Sequence, residues 1–477
     1  MVFRKMTMLL ALLISGVISC ASPLTEKGKI STAKAEAATP NNPSPATSTP
    51  APEKDVDDYS VLFKLYPNLI TGIARMPTKE EIKALGPLWP NVPPEKNAFC
   101  YFIKAARDLA ERCEKMSPEP PGSVSVEESY AGDSAGFTRY IKENASVLAT
   151  FKEGLNQRAL QFPWLVSNVE CPSPYPALPG MADIRNLARF LSDAGFAAEL
   201  EGRPDVAAER YVECLQMGNK LQEDSVLIAQ LVALAVQALG ASDLDSLVAN
   251  SSLDEAELKR IIARCREMET TPKMRLATVK REAEYVKITM AMCPETANEF
   301  GKDYDAYNAF LLKMFSKPLP ELLRSAEAAV KEVKDRHPLQ AELAPVWLES
   351  LPRYWAQYDL TMRVLQIRAA IALYEKMHGT PPDRLDALVP GILPEVPSDP
   401  FDGKPLRYAR TARGWKLWRV GYDLKDDGGE ASIADEKGWF GPDFIFTNKV
   451  RSNTEHRSHR GEPKSLPAPA EKLKETE

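Results

Sequence analysis

Ile184-Arg185-Asn186-Leu187-Ala188-Arg189-Phe190-Leu191-Ser192-Asp193-Ala194 sets its apolar residues three and four apart. Ile184, Leu187, Leu191, Ala194 and Ala198 therefore share one face of a helix. Glu201-Gly202-Arg203-Pro204-Asp205 breaks that helix, glycine suiting its stop and proline the first turn of the next. The second helix carries Val206, Ala207, Tyr211, Cys214 and Leu215. The same period recurs, wherever it is clear, from about residue 56 to 345, so this part reads as an all-α bundle. Val226–Leu239 is apolar nearly all round, interrupted only by Gln230 and Gln237. It is short for a membrane span and carries two amides, so it reads as a helix buried within the bundle. Ser252-Leu253-Asp254-Glu255 matches a capping box opening a helix whose Leu258, Ile261, Ile262 and Cys265 face inward. Further helices are expected over Lys273–Met292, stopped by Pro294, and Leu319–Arg336, stopped by Pro338.

The chain has 477 residues, with Lys+Arg 60 against Asp+Glu 66 and a formal charge of −6. Its length allows two or three domains and an ample core. The weak acidity argues against a nucleic-acid partner, which calls for a basic face. Only four histidines occur, His337, His378, His456 and His459, which removes most zinc and histidine-base chemistry. No G-x-S-x-G, H-E-x-x-H, Walker A or G-x-G-x-x-G is present, so no catalytic residue is named.

At the N-terminus, Arg4 and Lys5 precede an apolar run from Met6 to Ile14, followed by Ser15-Gly16-Val17-Ile18-Ser19-Cys20. The run is far shorter than the ~20 residues of a membrane helix, which makes it a signal peptide. Val17-Ile18-Ser19-Cys20 resembles a bacterial lipobox. The resemblance implies lipidation of Cys20, cleavage before it, and anchoring by several acyl chains. Ala21 in place of aspartate implies sorting to the outer membrane, facing the periplasm. Residues 21–56 are rich in Ala, Pro, Ser and Thr and have no apolar period, so they read as a disordered tether. Ser31-Thr32-Ala33-Lys34 matches S-x-x-K there by chance. Six cysteines remain beside Cys20: Cys100, Cys113, Cys171, Cys214, Cys265 and Cys293. In an oxidising compartment they permit up to three disulfides, and buried free thiols are the alternative.

Toward the C-terminus, Leu360, Val364, Ile367, Ile371 and Tyr374 make an apolar seam on a helix capped by Gly379 and stopped by Pro381-Pro382. His378 in the last turn suits the helix dipole. Asp402-Gly403 turns into an alternating Leu406/Tyr408 segment, and Arg413-Gly414 turns again into Trp415-Lys416-Leu417-Trp418-Arg419-Val420. An acidic loop, Gly421-Tyr422-Asp423-Leu424-Lys425-Asp426-Asp427-Gly428, follows, and Asp443-Phe444-Ile445-Phe446 reads as a last short strand. After about Lys449 the chain turns polar and rich in Pro, Lys and Glu, as a disordered tail does.

Two family resemblances follow from these residues. Gly195, Gly202, Ala207, Tyr211 and Cys214 fall at the spacing of one tetratricopeptide repeat over about residues 188–221, although Asn219 stands where that family has proline. The next 34 residues do not repeat the pattern. Residues 350–447 resemble the periplasmic domain of the major pseudopilin of type II secretion, in the long helix, the Gly379-Thr380-Pro381-Pro382 cap, Asp399-Pro400-Phe401, Leu406-Arg407-Tyr408 and the acidic loop. That resemblance implies a structural calcium ion held by Asp423, Asp426 and Asp427, hard-oxygen ligands of the kind calcium takes. The spacing is not that of an EF-hand. A helical body stands between the lipobox and this region, where pseudopilins run directly from a membrane helix, so polymerisation into a pilus is not implied. The whole chain also resembles envelope proteins of planctomycete-like bacteria, a likeness that supplies no function.

The expected organisation is a mainly α protein: signal peptide 1–19, tether 20–56, an α-helical domain over 57–345 with a tetratricopeptide-like hairpin, a small α+β pseudopilin-like domain over 346–448, and a tail over 449–477. The leading function is a non-enzymatic envelope lipoprotein acting as an interaction or scaffold component, tied to the membrane by lipid, with envelope or secretion proteins as partners. The alternative is a periplasmic hydrolase using a carboxylate pair in the helical domain. Two converging buried carboxylates in a cleft would favour the hydrolase, and a broad apolar groove the binder. Cys20→Ser is expected to leave the precursor unlipidated and move it from the detergent phase to the aqueous phase in Triton X-114 partition. Unchanged partition would remove the lipid anchor.

Overall fold

The computed structural model describes residues 92–116, 133–162, 180–223, 225–250, 253–292, 294–341, 343–412, 414–421, 424–429, 443–448, 450 and 452–454. The signal segment, Cys20, the tether, Ser31–Lys34, Asp423 and the tail beyond 454 lie outside them. Eleven helices are described. They are α1 (Ala98–Met116), α2 (Ser134–Glu143), α3 (Ala145–Asn156), α4 (Met181–Leu200), α5 (Pro204–Gln222), α6 (Leu227–Asn250), α7 (Glu255–Glu267), α8 (Pro272–Met292), α9 (Pro294–Phe315), α10 (Leu319–Arg336) and α11 (Leu351–His378). Three antiparallel strands follow, β1 (Arg407–Thr411), β2 (Gly414–Arg419) and β3 (Phe444–Thr447), in the order β1-β2-β3. The molecule is thus mainly helical, with a small sheet near its C-terminal end.

Helix α6 explains the layout. Among the described residues it is the one helix long and apolar enough to cross a membrane, yet most of it is buried inside the protein. Ala229, Val232, Ala233 and Val236 join an aromatic-rich core with Phe99, Phe102, Phe151 and Phe190 from α1, α3 and α4. Leu231, Leu244, Leu247 and Val248 join a second core with residues of α5, α7, α10 and α11. A helix with two opposite apolar faces is the wall between two cores, which is why its composition lacks a polar stripe.

Glycines set the spacing of the hairpin against this wall. A Cβ on Gly195 of α4 would lie 2.3 Å from the Tyr211 ring of α5, and one on Gly218 of α5 would lie 2.3 Å from the Gln237 side chain of α6. The helices therefore approach more closely than any larger residue would allow. Ahead of α7, the N-cap is Asp254, whose carboxylate accepts from the Glu257 N–H at 2.7 Å. The cap thus sits two residues beyond the Ser252 of the expected capping box. Pro294 ends α8 as expected but also opens α9, as proline in a first turn does.

The two amides of α6 find partners at the seam with α8 and α11. Gln230 Nε2 donates to the Gln222 carbonyl at 3.0 Å, Ser225 Oγ at 2.8 Å and Thr278 Oγ1 at 2.9 Å, and Trp355 Nε1 donates to its Oε1 at 3.3 Å. Gln222 Nε2 donates to Gln237 Oε1 at 2.6 Å. Buried Glu282 of α8 accepts the Leu227 N–H at 2.9 Å and so caps the start of α6.

Helix α11 carries the expected seam: Leu360, Val364, Ile367 and Ile371 are buried. Gly379 ends it in the left-handed conformation at φ 79°. The core is continuous from Ala198 to Val420, so α11 and the sheet share it with the helical array. Polar ties reinforce the join. Arg363 of α11 donates to Glu269 and to the Ser398 carbonyl, at 2.8 and 2.7 Å. Arg368 pairs with Asp245, donates to the Thr447 carbonyl at 3.0 Å and lies over the Trp415 ring.

Cys100, Cys214 and Cys265 are free thiols. Three disulfides would need all six cysteines, so that arrangement does not occur. Packing is the reason, since Cys214 and Cys265 sit in helix interfaces and burial pushes both thiols up.

Burial also pushes the Glu282 carboxyl up to about 7, from an ordinary value of 4.5, against the hydrogen bond from Leu227. The folded chain holds this proton more tightly than the unfolded chain does. Stability from this group is therefore full below pH 4.5 and is lost as pH rises to about 7, by roughly 3 kcal/mol at most. Glu282→Gln keeps the acceptor and removes the charge. Thermal melts should show a higher midpoint for the variant above pH 7 and a flatter pH profile; parallel profiles would contradict it.

Candidate functional site

A polar cleft of about 600 Å³ lies between α3, α5 and α7. Glu209 and Glu213 stand four apart on α5, which puts both carboxylates on one helix face. Lys152 of α3 reaches across, its Nζ 2.8 Å from Glu209 Oε1 and 3.3 Å from Glu213 Oε1. Arg210 also pairs with Glu213. Leu155 and Met268 complete part of the lining, and Arg264 pairs with Glu267 at 2.9 Å at its edge.

The two acids differ in setting. Burial pushes the Glu213 carboxyl up despite Arg210 and Lys152 beside it. For Glu209, burial is opposed by the Lys152 hydrogen bond and by the charges of Arg210 and Arg260, which together bring its carboxyl below the usual range. Opposite shifts in neighbouring carboxyls are the pattern that separates an acid from a base. Here, however, both carboxylates are bound to the same ammonium, which fixes their orientation and, together with the Arg210 guanidinium, balances their charge. The i,i+4 spacing was readable in the sequence, but not the cation that a different helix brings to it.

The acidic loop is organised differently from the expectation. The Arg407 guanidinium of β1 donates to Asp399 at 2.8 Å and to Asp426 at 3.2 Å, and pairs with Asp402. Asp426 Oδ1 accepts from Trp418 Nε1 at 3.0 Å and from the Gly428 N–H at 3.1 Å. The Trp418 indole first, then Gly428 and Arg407, hold its carboxyl below the usual range against the opposing effect of burial. Asp427 gives its backbone N–H to Asp443 Oδ2 at 2.8 Å, and Gly429 does the same at 2.8 Å. Buried Asp443, which sequence reading did not single out as a site residue, keeps Oδ1 without a hydrogen-bond partner.

A calcium ion takes six to eight oxygens. Asp426 instead faces N–H donors, and among the described residues no group of three His, Cys, Asp or Glu side chains is placed to hold a metal. Asp423 lies outside the described residues, and beside Asp426 a guanidinium supplies positive charge.

A third constellation joins distant parts of the chain. Asn453 is 2% exposed, and its Nδ2 donates to Glu199 Oε1 at 2.6 Å, to the Asp243 carbonyl at 3.1 Å and to Tyr211 Oη at 3.3 Å. Tyr211 in turn donates to Glu199, and Ser192 donates to the Asp243 carboxylate. Asn250 Nδ2 donates to the Val450 carbonyl at 3.1 Å. His337, which counted only toward the histidine scarcity, lies 2.6 Å by Nδ1 from Asp303, between the rings of Tyr307 and Phe310. It ties the end of α10 to α9. His378 stacks on Tyr374, one turn earlier on α11.

Comparison with protein-family models, curated proteins and solved structures finds no match to this chain.

Arg407 compensates fully buried Asp399, so Arg407→Ala should destabilise the protein by roughly 3 kcal/mol in denaturant melts. With an arginine holding the loop, melts of the wild-type chain in calcium and in chelator should superimpose. A calcium-dependent rise in midpoint would return the aspartates to a metal.

Proposed function

We propose that this protein is a lipid-anchored, non-enzymatic component of a bacterial cell envelope, whose helical body and C-terminal sheet act as an interaction scaffold on the periplasmic side of the outer membrane. The observation that carries this reading is the seating of Asn453 on α4, α5 and α6: the hairpin accepts a segment from far along the chain as a ligand would be accepted. The close approach of Gly195 to Tyr211 supports the tetratricopeptide-like reading of that hairpin. The order of long helix, Gly379 cap and antiparallel strands supports the pseudopilin-like reading of residues 346–448, and with it a link to type II secretion or pilus-like machinery.

The hydrolase reading has one observation in its favour, the opposite shifts of Glu209 and Glu213 at the cleft. The Lys152 clamp weighs against it, because proton transfer would have to break an ion pair that both carboxylates share.

Crosslinking of native envelopes, detergent purification and mass spectrometry test the scaffold. Crosslinks from α4, α5 or residues 350–447 to other envelope or secretion proteins are the expected result. Crosslinks confined to the chain itself would remove it.

A further inference from the structure

The stretch from β3 to Asn453 meets the helical array at three successive points. Arg368 of α11 donates to the Thr447 carbonyl, and Asn250 of α6 donates to the Val450 carbonyl. Asn453 then puts its side chain between Glu199, Tyr211 and Asp243. Two of these contacts read backbone carbonyls and carry no sequence preference. The third reads one side chain in a buried notch. A backbone carbonyl held without preference and a single side-chain pocket for selection are parts of a peptide site, and here Asn453 enters the pocket with helical backbone.

The chemistry of the notch specifies that side chain. All three groups facing Asn453 Nδ2 accept hydrogen bonds, one of them an oxygen of the Glu199 carboxyl. A carboxamide supplies two N–H donors and no charge. Aspartate would offer no donor and would face Glu199 with like charge. An apolar residue would take the donor away from all three acceptors.

We infer that the notch between α4, α5 and α6 is a peptide-binding site selective for a side-chain carboxamide, with Asn453 and its neighbours Ser452 and Thr454 as its resident and displaceable occupant. The inference rests on the scaffold reading and gives that surface its partner chemistry: a short segment bearing an asparagine. Because only a few residues separate Thr447 from Asn453, the resident segment acts at an effective concentration of the order of millimolar, and it competes with any peptide added in trans.

The test uses the full chain and a fluorescent peptide spanning residues 446–458. Asn453→Ala removes the resident key, so the variant should bind the peptide about tenfold or more tighter than wild type. The same peptide carrying Asn453→Asp should not bind. Equal binding by variant and wild type, or equal binding of the two peptides, would overturn the inference. Should the variant not hold its fold, hydrogen exchange of the wild-type chain decides. Peptide at millimolar concentration should speed exchange at residues 450–454, and unchanged exchange would overturn the site. A failed titration leaves envelope crosslinks elsewhere on the body intact, so the two readings fail separately.

Discussion

Helix α6 has to be covered on every side. With apolar residues around its whole circumference, it is stable in water only inside other structure, and the rest of the fold is the arrangement that covers it. Helices α4, α5, α8 and α11 lie directly against it. Behind them α1 and α3, with their phenylalanines, complete one core and α7 the other. The hairpin lies close because Gly195 and Gly218 permit it, and α11 brings the small sheet along because it belongs to the same core.

Such a wall creates a polar problem that the structure solves locally. Gln230 is buried with its helix and finds hydroxyl and carbonyl partners, while buried Gln237 accepts from Gln222 through Oε1 and leaves its Nε2 without a hydrogen bond. Glu282 satisfies the start of α6 at the cost of a desolvated carboxyl. Similar compensation organises the surface constellations. Lys152 gathers Glu209 and Glu213, and Arg407 gathers Asp399, Asp402 and Asp426. In both, a cation from one element is held against acids from another. The notch around Asn453 is of another kind: its groups converge on a side chain that arrives from outside the helical array.

Much of the helical layout was legible because helix period, stops and caps are local. The 3.6-residue spacing around Ile184 and Leu258, proline at 204 and 338, and glycine at 379 act within a turn or two of the backbone. The burial of Val226–Leu239 was legible for the same reason, since apolar residues all round a helix leave it no wet face. The strands were legible from alternation and turn residues, and the register places Leu417 opposite Tyr408 and Phe446.

The sequence by itself therefore determined the helical class, most of the elements from residue 181 onward and which of their faces turn inward, because each depends on neighbours a few residues away. Tertiary structure alone decided which charges meet. Asn453 and Glu199 are 254 residues apart, and Trp355 and Gln230 are 125 apart. Asp426 and Arg407 are nearer in sequence, yet the loop had to fold before that guanidinium reached the carboxylate. Sixty-six acids and sixty bases offer too many pairings for spacing to choose among. The choice is made by the packing of apolar faces, which brings particular side chains within hydrogen-bond reach and leaves the rest in water.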